Sequence, residues 1–130
     1  MRCALWPDHI ATEHEAEMRA WLAREDAAAV VCPRDSGGLC GFAEVSIRSY
    51  ADGCRTSPVA FLEGWYVDPD CRGTGIGRAL VEAVEAWARG RGLHELASDT
   101  LLDKTPGQHA HEHLGFVEVE RAVRYRKPLT

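Results

Sequence analysis

The stretch from Val59 to Arg91 constrains the fold more than any other. Val59-Ala60-Phe61-Leu62-Glu63-Gly64-Trp65-Tyr66-Val67 reads as a strand, ended by Asp68-Pro69-Asp70. Ile76, Leu80, Val84 and Trp87 then recur at helical spacing, with Ala79 and Ala83 beside them, so a helix is expected from Ile76 to Arg91, closed by Gly92. Between the two lies Cys71-Arg72-Gly73-Thr74-Gly75-Ile76-Gly77-Arg78. Glycines let backbone N–H groups crowd around an anion, and a helix N-terminus adds partial positive charge. Arg72 and Arg78 supplement this with full charges. A phosphate or pyrophosphate is the ligand such a turn suits. The Gly-Lys-Ser/Thr of a mononucleotide loop is absent. The dinucleotide pattern G-x-G-x-x-G fails too, because Arg78 stands where its third glycine belongs. The plainer reading, a tight strand-to-helix turn and nothing more, stays open on these residues alone.

The rest of the chain supplies partners for this unit. A helix is expected from Thr12 to Ala23, with Thr12 and Glu15 as a capping box and Met18, Trp21 and Leu22 on one apolar face. Ala27–Cys32 and Leu39–Ile47 read as strands, with Gly41 a candidate bulge. Glu95–Ser98 reads as a short strand. Thr105 to Leu114 reads as a helix with Thr105 as cap, Pro106 at the first position and Gln108 completing a capping box. Phe116 to Lys127 reads as one long strand or a hairpin. This order argues for a mixed α/β sandwich.

With 130 residues, 45% of them hydrophobic and 27% charged, the chain reads as one globular domain, residues 1–130. No apolar run approaches the roughly 18 residues of a membrane helix, and the first eight residues have no signal-peptide core. A cytoplasmic protein is expected. Fifteen basic against twenty acidic residues give a formal charge of −5, so nucleic acid is not the default partner and a cationic ligand is electrostatically easier. Five cysteines without a C-x-x-C pair read as reduced thiols rather than a disulfide framework or a zinc site. In His109-Ala110-His111-Glu112-His113 only His109 and His113 share a helix face, so no metal is expected there. Cys71 has no histidine base near it in sequence, which argues against a covalent intermediate.

Glu63 is the conspicuous polar residue of the central strand. A buried carboxylate is costly unless it has partners or a task. One task is to hold an ammonium group and accept its proton when an amine becomes a nucleophile. A solvent-facing side chain or a structural ion pair is the alternative.

Arg72-x-x-Gly75-x-Gly77 between a strand and a helix resembles the acetyl-CoA pyrophosphate loop of the GNAT acetyltransferases. Leu5-Trp6-Pro7, Gly41 to Arg48, Ser57 to Gly64, Ala97-Ser98-Asp99-Thr100 and Leu114-Gly115-Phe116-x-Glu118-x-Glu120-Arg121 extend the match across nearly the whole chain. Together they resemble the aminoglycoside 6'-N-acetyltransferases of type I. The resemblance implies the GNAT acyl-CoA N-acyltransferase fold, a mixed central sheet with flanking helices whose strands splay to admit pantetheine. It also implies acetyl transfer from acetyl-CoA to the 6'-amine of an aminoglycoside, without a metal. Trp65, Tyr66 and Val67 would meet the acetyl and pantetheine groups, and Arg72, Gly73, Thr74, Gly75, Ile76, Gly77 and Arg78 the pyrophosphate. Trp6, Tyr50, Glu63, Asp99 and Glu120 match acceptor-lining positions. Glu63 would be the proton acceptor. His111 stands where many acetyltransferases place a tyrosine that protonates the leaving thiolate. A homodimer is expected. Two departures stand out. Met1 falls just before Leu-Trp-Pro, so an N-terminal strand and most of a helix are missing from the pattern. Lys104 replaces an asparagine that contacts the cofactor, and lysine donates but cannot accept. The rival expectations are a GNAT enzyme for another amine, such as a polyamine or peptide, and a truncated domain that binds CoA without activity.

Overall fold

The computed structural model describes all residues, Met1–Thr130. Four helices and four strands occur in the order α1 (Arg2–Leu5), α2 (Ala11–Leu22), β1 (Ala27–Pro33), β2 (Leu39–Arg48), β3 (Val59–Val67), α3 (Ile76–Gly90), β4 (Leu96–Ser98) and α4 (Thr105–His113). Met1–Asp99 and Thr100–Thr130 form two compact units. In the first, the strands make one sheet in the order β1-β2-β3-β4. β1, β2 and β3 are antiparallel neighbours, and β4 runs parallel to β3. The mixed sheet with flanking helices is the architecture the sequence led us to expect. No helix is long and apolar enough to cross a membrane.

The core follows from two apolar patterns. On α3, Leu80, Val81, Val84 and Ala88 are buried. They pack toward the sheet where β2 offers Gly41; a Cβ there would lie only 3.1 Å from Leu80 and 3.3 Å from Ile76. On the opposite sheet face Val59, Phe61 and Ala51 form a smaller cluster with Cys54 and Ala97. The loop after β2 is fixed by Glu95, whose carboxylate accepts from the Arg55 and Thr56 backbone N–H groups and the Thr56 hydroxyl at 2.6–2.8 Å. These bonds favour the ionised form and hold its pKa below the usual value.

Several local expectations shift. The first long helix starts at Ala11, and it is Glu13, not Glu15, whose carboxylate accepts from the Ile10 N–H at 3.2 Å. Its expected apolar face is not buried: Leu22 and Met18 are exposed, and the residue turned inward is His14. α4 begins one residue earlier than expected: Lys104, not Thr105, is its N-cap, no side chain caps it, and Gln108 donates to the Leu101 and Leu102 carbonyls instead of closing a capping box. Phe116 to Lys127 forms no strand; Val117, Val119, Val123 and Tyr125 are exposed. Their period-two pattern is real, but a strand is made by backbone pairing, and no pair of the sheet includes this segment.

Candidate active site

The strand-to-helix turn is built as an anion cradle. Gly73 and Gly75 have φ of +79° and +89°, a region that a Cβ disfavours. Gly75 is the N-cap of α3, no side chain caps that helix, and its first turn carries no acid. The N–H groups at the start of α3 therefore remain available to an anion, with Arg78 in the same turn. The preceding turn is braced from outside. Arg34 forks onto Asp68 at 2.8 Å and Asp70 at 2.8–2.9 Å. The guanidinium holds the Asp70 carboxyl down at about 2. Arg72 Nε donates to the Val67 carbonyl at 2.8 Å, and Trp65 Nε1 donates to the Gly77 carbonyl at 3.1 Å. Strand end, turn and helix start are thus tied together. Burial raises the Cys71 thiol above its ordinary pKa, which leaves it a poor nucleophile.

Sheet pairing ends where this cradle begins. β4 pairs with β3 only at Ala60, Phe61 and Leu62, so Glu63–Val67 extend beyond it. The Asp68 N–H donates to the Cys40 carbonyl at 2.7 Å. Counting back by two, Tyr66–Phe42 and Gly64–Glu44 are the hydrogen-bonded pairs with β2. Trp65 and Val67 consequently turn their N–H groups away from β2, toward the side that β4 has vacated. Pairing thus ends in the stretch where the resemblance implies a splay for a pantetheine arm.

Glu63 owes its orientation to a bulge. Glu44 pairs with Gly64 and Val45 with Leu62, leaving Glu63 as the extra residue on β3. Trp65 faces α3, where it meets Gly77. Strict alternation from Trp65 back through Gly64 would point Glu63 at α3 as well. The extra residue instead puts Glu63 and Gly64 on one face, opposite α3. There Ser46 Oγ donates to Glu63 Oε2 at 2.6 Å, Arg48 Nε donates to Oε2 at 2.9 Å, and Arg48 Nη2 donates to Oε1 at 2.6 Å. Trp6 lies against Gly64, and its ring centroid is 6.1 Å from that of Phe42. Arg2 sits 4.5 Å from the centre of the Trp6 ring and pairs with Glu44 and Glu17. A cleft of about 420 Å³ is lined by Arg2, Trp6, His9, Glu44 and Glu63, among others. The bulge expected at Gly41 lies one residue earlier, where Cys40 is passed over between the Gly41–Cys32 and Leu39–Pro33 pairs.

Of the other expected acceptor residues, Asp99 directly follows β4 and acts electrostatically on Arg48, the partner of Glu63. Tyr50 is exposed two residues beyond Arg48. Lys104, His111 and Glu120 belong to the second unit. Lys104 is the N-cap of α4 and its carbonyl accepts from Gln108 N at 3.1 Å. His111 Nδ1 donates to the Gly107 carbonyl at 2.6 Å, and its ring meets Phe116 edge-on at 5.1 Å. With Nδ1–H so committed, donation of a proton from Nε2 requires the imidazolium. Glu120 is exposed in the C-terminal segment. No group of His, Cys, Asp and Glu side chains is arranged to hold a metal. Sequence reasoning gave no role to Ser46, Arg48, Arg2 or Glu44. The period-two spacing of Glu44, Ser46 and Arg48 was the available signal, since it puts all three on one strand face.

An uncapped helix behind a glycine turn, beside a strand edge left open, defines a GNAT acetyltransferase. The acetyltransferase (GNAT) family matches residues 1–116, and the chain belongs to it. Within it the chain belongs with the type 1 aminoglycoside N(6')-acetyltransferases. The enzyme of that name from Klebsiella aerogenes is 48% identical over 132 aligned residues, spanning 99% of this chain and 87% of its own length. The one from Stenotrophomonas maltophilia is 45% identical, spanning 99% and 84%. Among solved structures, aminoglycoside antibiotic 6'-N-acetyltransferase AAC(6')-Ih from Acinetobacter baumannii superposes with a TM-score of 0.92 at 41% identity, covering 99% of this chain and 88% of that one. AAC(6')-Iy in complex with the bisubstrate analogue CoA-S-monomethyl-acetylneamine gives the same TM-score, identity and coverage.

Proposed function

We propose that this protein transfers the acetyl group of acetyl-CoA to the 6'-amine of aminoglycoside antibiotics, by direct attack in a ternary complex, and so confers resistance. The observation that carries this reading is the bulge that turns Glu63 out beside the open edge of β3. There a carboxylate and the outward N–H groups of Trp65 and Val67 share one strand segment.

The residues divide the work. The cradle from Arg72 to Arg78 holds the pyrophosphate through backbone N–H groups and the α3 terminus. The Val67 N–H polarises the thioester carbonyl as negative charge develops on its oxygen. Glu63 binds the acceptor's ammonium and takes its proton, directly or through water, so that the nitrogen lone pair can attack. Trp6 and Tyr50 offer surfaces for sugar rings, and Asp99 and Glu120 carboxylates for further ammonium groups. Lys104 belongs to the cofactor side. His111, as the imidazolium, returns a proton to the departing thiolate. The reading takes residues 1–130 as one catalytic domain at work in the cytoplasm. It also includes a homodimer, because the exposed Val117, Val119, Val123 and Tyr125 are apolar surface that a second copy would cover. Light scattering on the purified protein tests that.

Steady-state release of CoA from acetyl-CoA, with kanamycin or tobramycin as acceptor, tests the activity. Turnover is expected, and it should fall sharply in Glu63→Gln. Efficient acetylation of spermidine without acetylation of either drug would overturn the substrate class.

A further inference from the structure

The acceptor reading gives Glu63 an ammonium group to hold, yet both its carboxylate oxygens already have partners. Those partners differ in kind. Ser46 is 2% exposed and sits inside β2. Arg48 is the last residue of β2, and its side chain is 46% exposed. Ser46 is fixed by its surroundings, while Arg48 reaches Glu63 from the solvent side and can swing away without opening the core.

The place Arg48 occupies is made for a cation. Its guanidinium forks onto Glu63, lies 3.6 Å from the centre of the Phe61 ring and feels the Asp99 carboxylate. A carboxylate fork and an aromatic face thus hold one positive charge in the field of a second acid. Glu63 and Asp99 are also two of the acids assigned to the acceptor's ammonium groups. We propose that Arg48 is a resident stand-in for the 6'-ammonium: it occupies the subsite in the free enzyme, holds Glu63 in its productive rotamer, and yields to the acceptor. This rests on the acceptor reading of Glu63 given above.

The exchange conserves charge and hydrogen bonds. When the guanidinium leaves, Oε1 loses Arg48 Nη2 and Oε2 keeps Ser46. An ammonium brings three donors and one positive charge to the vacated place. A neutral hydroxyl brings no charge, so it leaves Glu63 without a cationic partner and displaces Arg48 poorly. Arg48 thereby weakens binding of an acceptor with a 6'-amine by the strength of its own ion pair, and leaves one with a 6'-hydroxyl, which binds beside it, unchanged.

The test compares neomycin, which has a 6'-amine, with paromomycin, which has a hydroxyl there. Calorimetric titration is done on the CoA-bound wild type, Arg48→Gln and Arg48→Lys. Arg48→Gln should bind neomycin roughly two- to fivefold more tightly, the range an exposed ion pair supports. KM for neomycin should fall by the same factor, and paromomycin affinity should not rise. Arg48→Lys, which keeps the charge but loses the fork, should fall between. Weaker neomycin binding by Arg48→Gln would make Arg48 a brace only. Equal tightening toward both drugs would reduce it to a bulk charge. Either result overturns the proposal while leaving the acceptor reading intact. A wild type that binds CoA but acetylates no aminoglycoside overturns the acceptor reading itself, and this inference with it.

Discussion

The two halves of β3 are made of similar residues and do opposite things. Val59, Ala60, Phe61 and Leu62 are buried, and the last three are paired with strands on both sides. Beyond the bulged Glu63, Gly64 to Val67 are paired with β2 only, and from Glu63 onward all but Gly64 are partly exposed. The first half is core and the second is working surface. What separates them is the end of β4 and one bulged residue, not a change in strand propensity. A sheet can create a site simply by stopping its pairing while the strand continues.

That contrast can be broken from either side. The largest effect is expected in the core half. Leu62→Ala should lower the unfolding free energy by about 2–5 kcal/mol, read from denaturant melts, because a fully packed side chain leaves a cavity. KM for acetyl-CoA should stay unchanged in the fraction that remains folded. One residue along, Glu63→Gln should do the reverse. Stability should move by less than about 1 kcal/mol, since the Arg48 pair is partly exposed, while kcat falls about 100-fold, the lower end of what a positioned base contributes. Gly64→Ala mixes the two. Its Cβ would lie 2.5 Å from Trp6 Cη2, so the ring must move. A destabilisation of about 1–3 kcal/mol should come with a raised acceptor KM and an unchanged acetyl-CoA KM. An unmoved acceptor KM would remove Trp6 from the site.

The smaller tests concern the cradle. At Gly75 no atom lies within 4 Å of a built Cβ, but φ is +89°. Gly75→Ala should therefore cost about 1–2 kcal/mol through backbone strain alone, and raise KM for acetyl-CoA. The smallest effect is that of the Arg34 brace on pH dependence. Asp70 has its pKa lowered from 3.8 to about 2, chiefly by its hydrogen bonds from Arg34. Its stabilising contribution is present above the unfolded pKa and is lost as pH falls from about 4 through about 2. Arg34→Gln should bring the Asp70 titration, followed by NMR, back toward 3.8 and flatten that part of the acid melting profile.

Much of this molecule was legible from local sequence. The bounds of β3, the long α3 and the glycine turn between them depend on neighbours within a few residues, and they came out nearly as read. Contacts set by distant residues were not legible. His14 rather than Leu22 became the buried residue of α2, because burial depends on what covers a face. Ser46 and Arg48 gained roles only through their register with Glu63.

The sequence by itself determined an anion-binding strand–turn–helix, an apolar central strand and an acid within it. It did so because backbone φ preference, helical period and missing caps are properties of adjacent residues. Tertiary structure alone decided which way that acid points and what holds it. In a strand, direction follows from the count of residues between pairing partners, and the one extra residue on β3 shows itself only once β2 lies alongside.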